Sequence, residues 1–388
     1  MAKYRKIKRN QRIYRKHPRI PSWVKFALIL VLAVGIGFVG GKAVMDGLQK
    51  AKEDKKPQSS VASEDVSQTS KPESADSEES LSSTEQEDPQ SEQTMEAAVM
   101  PVEVMKDSTQ RQQFIQSVKT QGKNTIILDL KDEAGYLQYQ SRNEIAKECN
   151  AVASDAVNLT QVCREITQAG LTPVGRISTL MDKVSSRVAA KTTYLYRGQE
   201  GTAWLDNSAD NGGKTWLNPY RENTVSFLTD LTDEITAAGC QTLILTHLEY
   251  PDRNNSDMGI SGEAVSKSDT LKNLYQKMEQ AAEENQAKLM LQFDLNSYYG
   301  AQTDSVYGGD PALIGAESVL LSVDSQTLAA SAGLDVLSGE TDPVKAVEKI
   351  SAQMGRDGAE LYLLIPEAEQ AAFAGLEDAV AGVAVTQS

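Results

Sequence analysis

The feature that most constrains the fold of this chain is a regular alternation of short apolar runs with helical patterns from about residue 97 onward. The apolar runs are about six residues long, which is typical of strands that are buried on both faces of a parallel sheet. Between the runs, apolar residues recur at helical spacing, as Leu228, Leu231 and Ile235 do. The predicted strands span residues 99–104, 125–130, 172–177, 242–247, 288–293, 318–323, 334–337 (the weakest) and 360–365, and the predicted helices lie near 108–121, 157–169, 223–238, 267–286, 342–354 and 367–375.

This alternation predicts an α/β fold for residues 97–388. Eight strands separated by helices in a segment of this length are the number expected for a (β/α)8 TIM barrel, although a doubly wound open sheet has the same alternation. We favour the barrel. A long segment, residues 178–222, follows the third strand and is rich in Gly, Asn, Asp, Trp and Tyr. Because the loops after the strands form the active face of a barrel, this segment is predicted to line a ligand site.

The N-terminal part of the chain predicts a membrane anchor. Residues 1–25 contain ten Lys and Arg and no acid, and residues 26–41 carry no charge. A helix over residues 26–45 is long enough to span roughly 30 Å of hydrocarbon, and the basic side of such a helix stays in the cytoplasm. A cleaved export signal is the alternative, but no convincing cleavage site with small residues follows the apolar run. We therefore predict a single-pass protein of the cell membrane with a cytoplasmic N-terminus and an extracellular C-terminal domain.

Composition limits the partners of this domain. Residues 46–96 are predicted to form a disordered linker, since residues 51–96 hold thirteen acids, four lysines and no aromatic residue. The whole chain carries a net charge of −15 and residues 1–50 carry +11, which leaves −26 for the rest and argues against a nucleic-acid partner. Only two histidines and three cysteines occur, without C-x-x-C spacing or a phosphate-binding loop, so no metal and no cofactor is predicted.

Polar residues stand at the ends of the predicted strands, where the loops of a barrel converge on one mouth. Hydrolysis and binding of a glycan require a pair of carboxyl groups and flat rings on which a sugar can stack. The alternative interpretation is that the acids cap the following helices and that the tryptophans fix a long loop. The candidate catalytic residues are Asp129, Glu249 and Asp294, and the candidate substrate-binding residues are Lys131, Asp132, Arg176, Trp204, Asp206, Trp216, Asn218 and Tyr220.

Several of these residues lie in blocks that resemble a known family. Residues 124–139 (NTIILDLKDEAGYLQY), residues 173–182 (PVGRISTLMD) and the two blocks 204–206 (WLD) and 216–220 (WLNPY) are similar to successive motifs of the glycosyl-hydrolase-like barrel domain of Gram-positive and related bacteria. The resemblance implies a (β/α)8 barrel that is related to glycosidases and is commonly attached to the cell envelope. A polysaccharide or cell-wall glycan is the partner that it implies.

The chain departs from this family after the fourth predicted strand. Thr246 stands where the family usually has an acid, and Glu249 stands where it usually has an arginine. Threonine cannot serve as the acid or the nucleophile of a glycosidase. Two hypotheses follow. The domain hydrolyses an envelope or environmental polysaccharide with Asp129 and either Asp294 or Glu249 as its carboxyl pair, or it is a catalytically inactive barrel that binds glycan or acts as an envelope scaffold.

Overall fold

The computed structural model describes residues 94–187, 192–199, 201–252, 257–260, 265–301, 303–376 and 378–386. The predicted cytoplasmic tail, the predicted membrane helix and nearly all of the predicted linker lie outside these residues. Among the helices that the structure does describe, none combines the length and the apolar character needed to cross a membrane.

Eight parallel strands form a closed barrel. Each strand pairs with the next one in the order β1 to β8, and β8 pairs with β1, so these eight strands close on themselves without a free edge. This closure confirms the predicted TIM barrel and excludes the open sheet, which would leave two edges. The strands are β1 (Met95–Met100), β2 (Thr125–Lys131), β3 (Thr172–Ser178), β4 (Thr242–Thr246), β5 (Lys288–Asp294), β6 (Ser318–Ser322), β7 (Glu360–Pro366) and β8 (Gly382–Thr386).

The stagger of the strands matches this architecture. Through paired residues in one direction, Asp294 on β5 connects by way of β6, β7, β8 and β1 to Thr125 on β2. In the other direction, Met290 on β5 connects by way of β4 and β3 to Asp129 on β2. The starting residues on β5 are four positions apart (294 − 290), and the residues reached on β2 are also four positions apart (129 − 125). The two displacements add, so one complete circuit of the barrel shifts the register by eight residues. A shear of eight is characteristic of the (β/α)8 barrel.

Helices follow most strands and pack against the outside of the barrel. Two additional short strands, Leu137–Tyr139 and Val152–Val157, extend the sheet beside β2. The helices are α1 (Val102–Lys106), α2 (Ser108–Thr120), α3 (Glu144–Glu148), α4 (Leu159–Gln168), α5 (Glu222–Ala237), α6 (Lys267–Glu283), α7 (Leu295–Tyr299), α8 (Thr303–Val306), α9 (Ser325–Ala330) and α10 (Pro343–Arg356), with 3-10 turns at Ser185–Arg187, Ala209–Asn211, Pro311–Ile314 and Glu367–Phe373.

Two of the predicted strands were wrong in position. The predicted seventh strand, 334–337, is a turn between α9 and α10, and Ser338 beside it has a positive φ of 51°, which extended strands do not adopt. The segment predicted as the eighth strand is β7, and the true β8 at Gly382–Thr386 escaped prediction. The predicted first strand, 99–104, begins four residues after the start of β1 and continues past its end. The strand stops at Met100 because Pro101 follows it and precedes α1.

The interior of the barrel explains where the polar mouth begins. Alternate residues of the strands fill a small inner core, which includes Ile127, Val174, Ile244 and Met290. Since side chains alternate along a strand, the residue two positions further on from each of these points to the same side, one layer closer to the C-terminal mouth. These residues are Asp129, Arg176, Thr246 and Gln292.

Candidate functional site

A cleft of about 710 Å³ opens at the C-terminal mouth of the barrel. The ends of β2 to β6 and the loops that follow them form its walls, which is where the active sites of TIM barrels lie. The cleft brings together six of the residues that the sequence predicted for the site: Asp129, Lys131, Asp132, Arg176, Glu249 and Asp294.

A bidentate ion pair forms the floor of the cleft. Arg176 donates from Nε to Asp129 Oδ1 at 2.5 Å and from Nη2 to Asp129 Oδ2 at 2.9 Å. The two residues are direct neighbours in the register of β2 and β3, so the sheet itself aligns the fork of the guanidinium with the carboxylate. Arg176 Nη1 also lies 3.4 Å from Gln292 Oε1, a contact that sequence reasoning missed. The two-residue period from Met290 on β5 is the signal that could have found Gln292.

Glu249 is the carboxyl group of the cleft whose pKa is raised. Burial raises its pKa to about 7, and the negative charges of Asp294 and Asp252 add to this effect, whereas a hydrogen bond from Tyr307 opposes it. Tyr307 Oη donates to Glu249 Oε2 at 3.0 Å. Glu249 therefore carries a proton in a substantial fraction of molecules at neutral pH, which is the state that a general acid needs.

Asp294 and Asp132 are exposed acids with local structural roles. Asp294 Oδ1 accepts a hydrogen bond from the Ser297 backbone N–H at 2.8 Å and so caps α7. Asp132 Oδ1 accepts from the Tyr136 backbone N–H at 2.8 Å and holds the turn after β2. The helix-capping interpretation is thus correct for Asp294, but capping leaves this exposed side chain at the cleft. Its charge is close enough to Glu249 to influence the pKa of that carboxyl.

Lys131 does not present its ammonium group to the cleft. Its side chain is 0% exposed, as is that of Asp182, and the two form an ion pair with 3.0 Å between Nζ and Oδ2. Lys131 Nζ also donates to the backbone carbonyl of Ser178 at 2.5 Å. Asp182 Oδ2 receives no hydrogen bond of good geometry in the described structure, so charge rather than hydrogen bonding holds this contact. Lys131 contributes to the cleft wall, but its charge is already paired with Asp182 inside the protein, so its predicted role in binding substrate stays a prediction.

The aromatic segment after β3 packs into the protein instead of lining the cleft. Trp204 is 1% exposed, Trp216 is 4% exposed and Asn218 is 2% exposed. Trp216 Nε1 donates to Asp206 Oδ2 at 3.0 Å, and Tyr220 Oη donates to the Val265 carbonyl at 3.3 Å. The prediction of an exposed stacking surface on Trp204 or Trp216 is therefore wrong. The two rings, with Asp206, Asn218 and Tyr220, fix the loop, because burying large apolar rings is favourable.

Replacement of Trp204 tests this structural role. The ring packs edge-on against Tyr194, with 6.2 Å between the ring centroids, and is surrounded by core. We expect Trp204→Ala to lower the free energy of unfolding by about 3–5 kcal/mol, because it removes a large buried side chain and leaves a cavity. Chemical denaturation followed by circular dichroism measures the loss. A loss below about 1 kcal/mol would show that the ring is not part of the core.

His247 and Thr246 complete the mouth at the end of β4. Thr246 Oγ1 lies 3.0 Å from His247 Nδ1, and the histidine backbone has a φ of 52°. Burial lowers the pKa of His247, although the nearby Glu133 opposes this shift. Within the described residues, no group of three or more His, Cys, Asp or Glu side chains is arranged to hold a metal ion.

Comparison with known proteins agrees with this geometry. Residues 98–310, more than half of the chain, match a family model described as "Putative glycosyl hydrolase domain". No curated protein matches the chain.

Among solved structures, the glycoside hydrolase domain of PgaB (BpsB) from Bordetella bronchiseptica superposes with a TM-score of 0.51 at 11% identity, over 75% of this chain and 92% of that one. A hypothetical protein from Ruminiclostridium thermocellum gives a TM-score of 0.43 at 19% identity, over 50% and 96%. An inactive mutant of the exo-β-N-acetylglucosaminidase of Vibrio harveyi gives 0.46 at 10% identity, over 76% and 50%. At such identities the Bordetella domain shows a shared fold alone, and the other two add no argument. On the match of its sequence over residues 98–310, the chain belongs to this family of glycosyl hydrolase domains.

Proposed function

We propose that the barrel is a glycoside hydrolase in which Glu249 is the general acid and Asp294 is the partner carboxylate. The observation that carries this proposal is the position of Glu249, which Tyr307 holds in the wall of a cleft shared with Asp294 and where burial raises its pKa to about 7. A glycosidase needs one carboxyl group that is protonated and one that is ionised on either side of the scissile bond. Burial supplies the first condition for Glu249, and Asp294 is an exposed carboxyl group at the same cleft.

In this mechanism the other groups of the cleft bind and orient the sugar. Glu249 gives its proton to the glycosidic oxygen as the bond to the anomeric carbon breaks, and Asp294 either activates a water molecule or attacks that carbon. Asp129 is held by two hydrogen bonds from Arg176, so we assign this pair to substrate hydroxyls rather than to proton transfer. Tyr307 keeps Glu249 in place through its hydroxyl.

A hydrolysis assay tests this function. Wild-type protein, incubated with purified cell-wall glycan and with a panel of environmental polysaccharides, is expected to release reducing ends from at least one of them. Asp294→Asn is expected to lower the rate by several powers of ten, because the amide cannot act as a base or a nucleophile. The Asn side chain keeps an oxygen for the α7 cap, so this variant should fold normally. Equal rates for wild type and Asp294→Asn would exclude Asp294 as the partner.

The second candidate is a barrel that binds glycan without cleaving it, and Thr246 is the observation that favours it. Thr246 lies at the mouth, two residues beyond Ile244 of the inner core, where the family usually carries an acid. Sugar release by Thr246→Asp, absent in wild type, would indicate a hydrolytic site that was inactivated at this position. Release by wild type itself would exclude this second function.

We also propose that the barrel faces the outside of the cell, tethered by a membrane helix at residues 26–45, with a cell-envelope or environmental polysaccharide as its partner. The support is the ten Lys and Arg in residues 1–25 and the uncharged run that follows. Protease added to intact, wall-stripped cells is expected to degrade the barrel and to leave the N-terminal tail protected. Protection of the C-terminus under these conditions would overturn the proposed orientation.

A further inference from the structure

His247 adopts a backbone conformation that its surroundings must enforce. Its φ of 52° lies in the left-handed region, which residues other than glycine enter uncommonly and which recurs at functional sites. Hydrogen bonds from the loop after β3 hold the backbone there. Thr179 donates from its backbone N–H to the Thr246 carbonyl at 2.9 Å, and Leu180 donates in the same way to the His247 carbonyl at 3.2 Å. This conformation directs the imidazole into the cleft wall.

The neighbours of the ring determine which of its nitrogens carries the proton. His247 Nδ1 lies 3.0 Å from Thr246 Oγ1 and 3.3 Å from Ser178 Oγ. The Ser178 hydroxyl already donates to the Met181 carbonyl at 2.8 Å, and the Thr246 hydroxyl donates to the Ile177 carbonyl at 3.3 Å. Each hydroxyl has a single proton, so while these two bonds to carbonyls are made both oxygens accept from the ring. All four contacts are satisfied when Nδ1 carries the hydrogen and Nε2 keeps a lone pair.

The free nitrogen stands beside a carboxylate. His247 Nε2 lies 3.8 Å from Glu133 Oε1, and the side chain of Glu133 is 63% exposed on the loop after β2. Both atoms are acceptors in this state, and the distance between them is longer than a hydrogen bond. His247 Nε2 and Glu133 Oε1 can therefore each accept a hydrogen bond from a ligand that lies against both atoms. Adjacent hydroxyls on a pyranose ring offer two such donors side by side.

We propose that His247 Nε2 and the Glu133 carboxylate form a two-acceptor element that binds vicinal hydroxyls of a sugar ring in the cleft. The element deepens the proposed function and rests on it for the class of ligand. His247 and Glu133 would thus determine the specificity of that site. Neither residue takes part in proton transfer to the glycosidic bond.

Protonation of the ring should switch the element off. A protonated Nε2 has no lone pair and would donate to Glu133 instead of accepting from a sugar. The charged groups that act on the ring are Glu133 and Asp294, which raise its pKa, and Lys131 and Lys214, which lower it. Burial is the largest influence and lowers the pKa below its ordinary value of 6.5. Binding is therefore expected to persist at neutral pH and to disappear as the pH falls through this lowered pKa.

The first experiment reads the tautomer directly and does not depend on hydrolysis. The full-length protein is labelled with ¹⁵N-histidine, and His17→Gln removes the only other imidazole of the chain. At pH 7.5 the ¹⁵N spectrum is expected to show a protonated Nδ1 and an unprotonated Nε2, and a pH titration is expected to give a midpoint below 6.5. A dominant Nε2–H tautomer would overturn the proposal even if the protein proves to be an active hydrolase.

The second experiment measures the ligand. Methyl β-D-glucopyranoside, which carries vicinal hydroxyls, is expected to shift the His247 Nε2 resonance in a saturable way, whereas its fully O-methylated derivative is expected to leave it unchanged. Glu133→Gln is expected to weaken this binding by about tenfold or more, because the amide presents a donor on one of its two positions. Glu283→Gln, an exposed acid at the end of α6, is the control for charge alone. Equal binding by the two variants, or no shift with the glucoside, would overturn the proposal.

Substitution of the histidine gives a third, independent reading. Asn tolerates the left-handed backbone but lacks an acceptor at the position of Nε2, so His247→Asn should fold and should bind the glucoside at least tenfold more weakly. If this variant does not fold, the result for Glu133→Gln still decides. Undiminished binding by folded His247→Asn would contradict the proposed contact.

Discussion

Glu249→Gln is expected to abolish nearly all hydrolysis, with a fall in kcat of about 10²–10⁴-fold on any glycan that the wild type cleaves. Glutamine keeps the shape of the side chain and can still accept the hydrogen bond from Tyr307, which lies 3.0 Å away in the wild type. What it loses is the transferable proton that the raised pKa of about 7 provides. Steady-state kinetics with the substrate found in the reducing-end assay measure the effect. A variant that retains half of the wild-type kcat would exclude Glu249 as the acid.

The pH profile separates a lost proton from a distorted cleft. Glu249 must be protonated to act as an acid, so wild-type kcat should decline as the pH rises through about 7. The hydrogen bond from Tyr307 lowers the pKa of Glu249, because it stabilises the ionised carboxylate. Tyr307→Phe is therefore expected to move the alkaline limb to higher pH. An unchanged limb in this variant would mean that another group controls the decline.

The same carboxyl group makes a prediction for stability that needs no substrate. Its pKa is about 7 in the folded protein and near 4.5 in an ordinary environment. Between these values the unfolded chain releases the proton while the folded chain keeps it, so stability present below pH 4.5 is lost as the pH rises to about 7. The difference corresponds to at most about 3 kcal/mol. Urea denaturation at pH 5 and pH 8 should show part of this loss in the wild type and less of it in Glu249→Gln.

The sequence predicted the barrel because the information for it is local. The centres of the predicted strands, such as 126–128 (IIL) and 243–245 (LIL), are apolar throughout, as parallel strands buried between a barrel core and a helical layer must be. β8 escaped prediction for a physical reason. Its inward residue, Ala384, sits in the inner core where a small side chain suffices, so the run GVAVT has a weaker apolar signal than the other strands. Nothing local distinguishes it from the apolar loops near residues 334–337.

The sequence predicted the location of the site better than the roles of its residues. The carboxyl ends of parallel strands meet at one mouth of a barrel, so strand-end positions alone predict a shared cleft. The residues that lie in it are Asp129, Arg176, Glu249 and Asp294. The role of each depends on contacts far away in sequence. Glu249 acquires its raised pKa from burial in a pocket to which Tyr307 contributes from the loop after β5. Tryptophans in a polar loop have the same composition whether their rings stack on a sugar or pack into the core, as Trp204 does.

Removal of one partner of the buried Lys131–Asp182 pair is expected to have the largest effect on stability. Both side chains are 0% exposed, and the only other partners described for their charged atoms are the backbone carbonyls of Ser178 and Thr179 and the backbone N–H of Ser185. Asp182→Ala leaves the Lys131 ammonium buried without a counter-charge. A loss of about 3–5 kcal/mol in the free energy of unfolding follows.

The double variant Lys131→Met with Asp182→Leu isolates the cost of the stranded charge. It replaces both ions with apolar side chains of similar size, so it is expected to recover most of the stability that either single change removes. The partly exposed pair Lys349–Glu340, with 3.7 Å between Nζ and Oε2, is the control, and Glu340→Ala should cost far less than Asp182→Ala. Thermal and urea denaturation measure the wild type, Asp182→Ala, Lys131→Met, Asp182→Leu, the double variant and Glu340→Ala. If the double variant loses as much as the sum of the single variants, the pair is not coupled and the argument from stranded charge is wrong.

Gly135, in the loop after β2, lies directly against the side chain of Asp182. A Cβ at this position would lie 2.0 Å from Asp182 Oδ1, and its φ of 100° is one that other residues rarely adopt. Gly135→Ala therefore combines a steric clash with backbone strain in the wild type. In the Asp182→Ala background the clash is gone and only the strain remains, so the same substitution should cost less there. This non-additivity, measured in a double-mutant cycle, is the expected result. Equal costs in both backgrounds would mean that Gly135 is required for its backbone conformation alone and that Asp182 is free to move away from it.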